Sequence, residues 1–335
     1  MVTPVNDGAF DEWLQSESPD MVIFDRFMTE EQFSWRVRER CPDAVRILDT
    51  IDLHFLRKAR EKQPDAPDLG PGNEILLREL AAILRSDLSL VVSLAEMNVL
   101  QEMGVPEEKV FYHPLTYPSP SHAPGFNERS DFCTIGNFIH PPNMDAVLRL
   151  ANELWPKIQQ QLPDVALHIY GAYPSERAWQ LNEPQKGLHI HGSVADLDAT
   201  LHAHRVLLAP LRFGAGLKGK VMDAWYHGMP VITTPVGAEG LFPSLLWGGS
   251  IAETPGDFVD AAVRLFLDEF EWERASARGR EILSSQFAIE DHAENLINAL
   301  QSIDRGTDIW GQMFWREQMR STEYMSRWIE EKNRG

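Results

Sequence analysis

The chain has 335 residues, 43% of them hydrophobic and 24% charged, which is too apolar for a disordered polymer and, at roughly 150 residues per domain, points to two folded domains. Asp and Glu number 50 against 31 Lys and Arg, for a formal charge of −19. That balance argues against a general nucleic-acid or anionic-membrane binder and requires any phosphate ligand to meet a local basic pocket. The two cysteines, Cys41 and Cys133, offer neither a disulfide framework nor a metal-type spacing. Apolar runs fall short of the ~20 residues of a spanning helix. The start MVTPVNDGAFDEWLQ lacks a secretory pattern, so a cytoplasmic location is expected.

Short β-branched runs alternate with helical patterns: MVIFD at 21–25, VRILD at 45–49, SLVVS at 89–93 and VFYH at 110–113. This alternation predicts βαβ units and a parallel sheet. Pro114, Pro118, Pro120, Pro124 and Gly125 mark a linker over 114–129. A second series then opens with DFCTIGNF, continues through a helix from about Asn143 to Gln161, and adds VALHIYG, LHIHGS, HRVLLAP and MPVITT as strands. Residues 255–304 read as helices with polar faces. The tail, rich in Trp and Met, is expected to be a helix packing back on the body, with an exposed partner surface as the alternative.

The most informative stretch is LAPLRFGAGLKGKVMDAWYHGMPVITTPVGAEGL, residues 208–241. A buried strand runs into a turn with Gly214, Gly216 and Gly219, and VMDAWYHG continues as a helix. Backbone N–H groups at such a helix start point toward an anion. Arg212, Lys218 and Lys220 flank the turn, and in so acidic a chain they point to a diphosphate. An ordinary helix start with surface lysines is the competing explanation. Lys218 and Lys220, two positions apart on a helix, diverge, and Lys218 is expected to matter more.

These residues, with TIGNFIHPPNMDAVLRLANELWPKIQQQLPDVALHIYG and LHIHGSVADL, resemble in order and spacing the donor-binding domain of GT-B glycosyltransferases. Among these, the chain resembles the retaining family 4 group, over roughly residues 131–300. The resemblance implies an α/β fold of two Rossmann-like domains: an acceptor-side domain at 1–128, a donor nucleotide-sugar domain at 129–300, and a C-terminal helical tail at 301–335. It implies that Asp223 binds the donor ribose hydroxyls, that Gly136 and Asn137 lie beside the donor, and that Tyr170, Gly171, His191, Ser193 and Val194 are candidates for the base pocket, with His191 as a plain strand-end residue an equal alternative. Glu239 in VGAEG falls in the loop that caps the donor, where a plain loop carboxylate is an equal alternative. Three positions depart from the family pattern. Ala215 stands where many members carry a sugar-contacting Glu, and Asn137 and Asn143 stand where an Arg and a Lys usually grip the diphosphate.

Residues 20–60 resemble the middle of the acceptor-side domain. Asp25 and Arg26 follow the first strand, and Asp49, Thr50, Asp52 and His54 the second. Polar residues past a parallel strand's carboxyl end face the crevice of such a fold, so Asp52 and His54 are the catalytic candidates; helix capping by Asp52 with a solvated His54 is the alternative. Fewer strands precede the linker than the resemblance implies, so the N-terminal domain reads as shortened and prone to self-association.

The expected activity is retaining, metal-independent transfer of a sugar from a UDP- or GDP-sugar to an unknown carbohydrate, lipid or protein acceptor, with no cofactor. A catalytically weak binding or accessory subunit is the alternative. A nicotinamide enzyme is disfavoured because no GxGxxG follows an early strand. The DLD at 196–198 is expected to cap a helix and not to bind a metal.

Overall fold

The computed structural model describes residues 8–64, 66–120, 123–241, 247–303, 324, 326–329 and 332. The chain divides into two compact units. The first comprises residues up to Ala59, 66–114 and those from Glu294 onward; the second comprises a short stretch from Arg60 and the long segment Leu115–Ala293.

The first unit carries a four-stranded parallel sheet in sequential order: β1 (Met21–Asp25), β2 (Val45–Asp49), β3 (Leu88–Val91) and β4 (Val110–Tyr112). β2 and β3 are buried along most of their length because they are the central strands, whereas β1 is an edge strand buried only at Phe24. Val45, Ile47, Leu88 and Leu90 form a core cluster that Leu296, Leu300 and Ile303 close from the C-terminal side. Helices Arg26–Arg40 and Glu74–Arg85 are joined by a fully buried ion pair, Arg85 Nε to Glu30 at 3.1 Å. Glu30 also accepts from the Ser34 hydroxyl at 2.6 Å. Most of the tail 301–335 lies outside the described residues. Of the part described, Arg327 pairs with Glu39 and lies over the Trp35 ring at 4.5 Å.

The second unit has six parallel strands in the order β10-β9-β8-β5-β6-β7. They are β5 (Ser130–Ile135), β6 (Leu167–Tyr170), β7 (Leu188–Ile190), β8 (His204–Ala209), β9 (Val231–Thr233) and β10 (Gly249–Ile251). The chain winds outward from β5 to β7, returns to β8 beside β5, and winds the other way. The loops after β5 and β8 therefore flank a topological switch point, where such sheets bind ligands.

A helical stretch from Pro141 to Gln161 and the helix Pro255–Leu267 pack on one face, around Leu150, Ile158 and Phe258. Helix Gly219–Tyr226, with Ile282 and Leu283, covers the other. The Pro141–Gln161 stretch contains a π turn at Leu150–Leu154, where Trp155 N–H reaches back to Leu150 O. Pro156, which has no N–H to donate, follows directly, and the wider turn absorbs it. Arg129, only 2% exposed, staples the unit by donating to the carbonyls of Pro124, Leu201, His204 and His227. Among the described residues, no helix is long and apolar enough to cross a membrane.

Candidate functional site

β8 ends at Ala209, and the loop that follows leads through the glycines to helix Gly219–Tyr226. Gly216 adopts φ 64, a left-handed conformation that a side chain would strain. Lys218, 8% exposed, turns its ammonium back into the turn and donates to Gly216 O at 2.6 Å. It braces the loop from within. Lys220 diverges from it, as the helical spacing requires: its Nζ donates to Asn143 Oδ1 at 2.7 Å. Burial pushes its pKa down to about 8, and no carboxylate pairs with it among the described residues. A desolvated cation without a counter-charge favours an incoming anion. Arg212 is differently placed, holding both carboxylate oxygens of Asp145, with Nε–Oδ2 at 2.9 Å, so its charge is already compensated.

The loop after β5 forms the other side of the switch point. Gly136 and Gly171 touch so closely that a Cβ on Gly171 would stand 2.1 Å from Gly136 O, and one on Gly136 would stand 2.7 Å from the Asn143 side chain. Asn137 Oδ1 accepts Ile139 N–H at 2.8 Å, and Asn143 Nδ2 donates to Asn137 O at 3.0 Å. At the two positions where the resemblance implies cations, the chain holds amides, and Lys220 reaches across from the helix after β8 to one of them.

Asp223, on the helix that begins at Gly219, is half-buried, and its Oδ1 accepts the Tyr117 hydroxyl at 2.6 Å. Burial raises the Asp223 pKa and the Tyr117 hydrogen bond opposes that rise. Tyr117 was not legible as a site residue: it lies in the proline-rich segment, far from Asp223 in sequence, and carries no motif.

Tyr170 and His191, at the carboxyl ends of β6 and β7, stack with ring centroids 4.5 Å apart and planes 14° apart. His168 Nδ1 lies 3.0 Å from His191 Nε2, and Tyr170 Oη lies 3.0 Å from His204 Nε2. Burial lowers the pKa of His168, His191 and His204, the last to about 4. Ser193 is exposed and Val194 half-buried on the loop that follows. Asp196 caps the next helix through Ala199 N–H at 2.9 Å, as expected for the DLD segment. Glu239 is held by Arg60, with Nη2–Oε1 at 2.8 Å, and the same guanidinium donates to Gly214 O at 2.9 Å. Arg60 clusters with this unit despite its distance in sequence.

Asp52 and His54 lie in the first unit. Asp52 Oδ2 is tied to Arg57 Nε at 2.6 Å. The helix starting at His54 is capped from another helix, by Glu79, which accepts His54 N–H at 3.1 Å and Phe55 N–H at 2.9 Å. The sequence-based alternative, capping by Asp52, gives way to this long-range cap. His54 Nδ1 lies 3.6 Å from Glu79 and 3.8 Å from Asp52. Just before, Ile51 adopts φ 60, a strained conformation for a β-branched residue.

Residues 129–268 match the family model described as Glycosyl transferases group 1. Over 116 residues the chain is 27% identical to an uncharacterized 44.6 kDa protein in the cps region of Klebsiella pneumoniae, covering 32% of this chain and 29% of that one. A mutant of S. aureus TarM in complex with Fondaparinux, alpha-GlcNAc-glycerol and UDP superposes with a TM-score of 0.68 at 12% identity, covering 87% of this chain and 58% of that one. Sucrose-phosphate synthase from Thermosynechococcus elongatus gives 0.68 at 15% identity, covering 88% and 76%. Anabaena HepE in complex with UDP and glucose gives 0.68 at 12% identity, covering 90% and 84%. The chain thus spans less than two thirds of the length of the curated relative and of TarM. The fold is that of the two-Rossmann GT-B glycosyltransferases. Its second unit holds a segment similar to the group 1 glycosyl transferases.

Proposed function

We propose that this chain is a glycosyltransferase that binds a UDP- or GDP-sugar in its second unit and transfers the sugar with retention to a carbohydrate, lipid or protein hydroxyl. The observation that carries this is Lys220, a cation without a carboxylate partner at the switch-point edge of the segment matching the group 1 glycosyl transferases. The diphosphate sits against the Lys220 ammonium and the first two N–H groups of helix Gly219–Tyr226, those of Gly219 and Lys220, the third being taken by Lys218 O at 2.8 Å. As the bond between sugar and phosphate breaks, negative charge grows on the leaving diphosphate. A pre-placed ammonium stabilises that charge without reorganisation. The acceptor oxygen forms the new glycosidic bond on the face the diphosphate leaves, and its proton passes to the leaving phosphate. Lys220 supplies the charge that a metal ion supplies in other transferases. Asp223 accepts from the ribose, and the Tyr170–His191 stack borders the base. In the first unit, His54 and Asp52 serve the acceptor side.

A thermal-shift and calorimetric screen of UDP, GDP and their sugars tests the assignment. Micromolar binding of one nucleoside diphosphate, abolished by Lys220→Glu, is expected; no binding by any of them would end it. One observation favours a non-catalytic binding subunit. Ala215, 8% exposed, presents a methyl where a sugar-contacting carboxylate is usual. Slow hydrolysis of the bound nucleotide sugar supports the transferase; binding without turnover supports the subunit.

A further inference from the structure

Tyr117 is held at three points. Its N–H donates to Phe287 O at 2.8 Å, its carbonyl accepts Ile289 N–H at 3.2 Å, and its ring packs on Tyr226 at 5.7 Å between centroids. From this fixed arm the hydroxyl reaches Asp223 Oδ1 at 2.6 Å. Asp223 Oδ2 has no partner among the described residues. A short charge-assisted bond from an anchored donor sets both the rotation of a carboxylate and the number of acceptor sites it has left.

Resting on the donor-binding assignment above, we propose that Tyr117 is a positioning residue for ribose recognition: its hydroxyl occupies Asp223 Oδ1 and presents Oδ2 to a single ribose hydroxyl. An unencumbered carboxylate would accept from both vicinal hydroxyls of the ribose. This one reads one of them and is indifferent to the other. The Tyr117 bond also favours the ionised form of Asp223 against the effect of burial, and the ionised form is the stronger acceptor.

The test is calorimetry with UDP, 2′-deoxy-UDP and 3′-deoxy-UDP, and with the GDP series in parallel, the tighter series being read. In the unaltered chain one deoxy nucleotide should bind about 5-fold weaker than its parent, the worth of one net hydrogen bond, and the other within about twofold. Tyr117→Phe, which keeps the ring against Tyr226, frees Oδ1 for the second hydroxyl, so the ratio between the two deoxy affinities should shrink to within about twofold, and the loss of that discrimination on acidification should move to higher pH. A merely structural role for Tyr117 would lower the melting temperature and leave both unchanged. The pH dependence of the ratio in the unaltered chain gives a reading that needs no variant: it should fall toward one as Asp223 protonates.

The inference is overturned if Tyr117→Phe preserves the ratio and its pH dependence, or if both deoxy nucleotides are penalised alike in the unaltered chain. Failure of the underlying assignment looks different. In that case Asp223→Asn leaves the parent and both deoxy affinities unchanged, or no nucleotide of either series binds.

Discussion

The ammonium of Lys220 stands 2.7 Å from the amide oxygen of Asn143, joining the helix after β8 to the loop side of β5 by a bond between a cation and a neutral acceptor. An amide leaves the charge uncompensated, and under the proposed function the pair is what receives the diphosphate. Lys220→Met should weaken UDP or GDP binding about tenfold, one charge-assisted contact. Lys218→Met should chiefly lower the melting temperature, because that ammonium is spent on Gly216 O.

The same lysine sets a pH dependence. With its pKa pushed down to about 8 by burial, Lys220 is protonated below that value and neutral above it. Nucleotide affinity should therefore be level below about pH 8 and decline as pH rises past it. Titration calorimetry between neutral and alkaline pH, on the unaltered chain and on Lys220→Met, reads this directly. Equal slopes in the two proteins would take Lys220 away from the phosphate.

Gly171→Ala places a methyl 2.1 Å from the Gly136 carbonyl, and backbone cannot yield as a flexible side chain does. Overpacking of this kind costs roughly 1–3 kcal/mol. The Gly136 carbonyl must also give way, and with it the loop after β5, so nucleotide affinity should fall together with the melting temperature. Normal affinity in a destabilised variant would show that the loop is not part of the site.

His204 has a folded-state pKa of about 4 against an ordinary 6.5, chiefly because it is buried. As pH falls, the unfolded chain takes the proton first. The neutral imidazole's contribution is thus full above about pH 6.5 and drains away as pH drops toward about 4, a loss on the order of 2–3 kcal/mol. His204→Gln keeps an amide for the Tyr170 hydroxyl without titrating. Its melting temperature should depend less steeply on pH across that window, as followed by circular dichroism.

Arg85→Met leaves the carboxylate of Glu30, 1% exposed, without its counter-charge and should cost about 3–5 kcal/mol. Adding Glu30→Met should recover part of that loss, since the charge goes with its partner. Chemical denaturation of the two variants measures the difference.

The four strands of the first unit stand within a residue or two of the runs that announced them, because each is a short β-branched or apolar stretch bounded by polar residues. β10 went unread: its three residues begin with a glycine, and no alternation announces it. The glycine turn, Asp223 and Lys220 were legible because strand, turn and helix are contiguous in the chain. Their partners were not. Tyr117, Asp145, Arg60 and Glu79 each meet their counterpart across a long loop closure, and a single sequence carries no signal of such pairings. Helical spacing shows that Lys218 and Lys220 diverge, and the sequence reading ranks Lys218 first; which of the two turns inward is fixed only in three dimensions, where Lys218 goes to Gly216 O and Lys220 to Asn143.

The brace that Lys218 throws across Gly216 has a thermodynamic corollary. A glycine loop without it would sample many conformations, and a nucleotide would have to freeze them one by one. Here the freezing is done during folding, by a side chain belonging to the loop itself. Ligand capture should therefore register in a calorimeter as enthalpy, with little opposing loss of chain entropy at the turn, and Lys218→Met should move the balance toward entropic cost well before it abolishes binding.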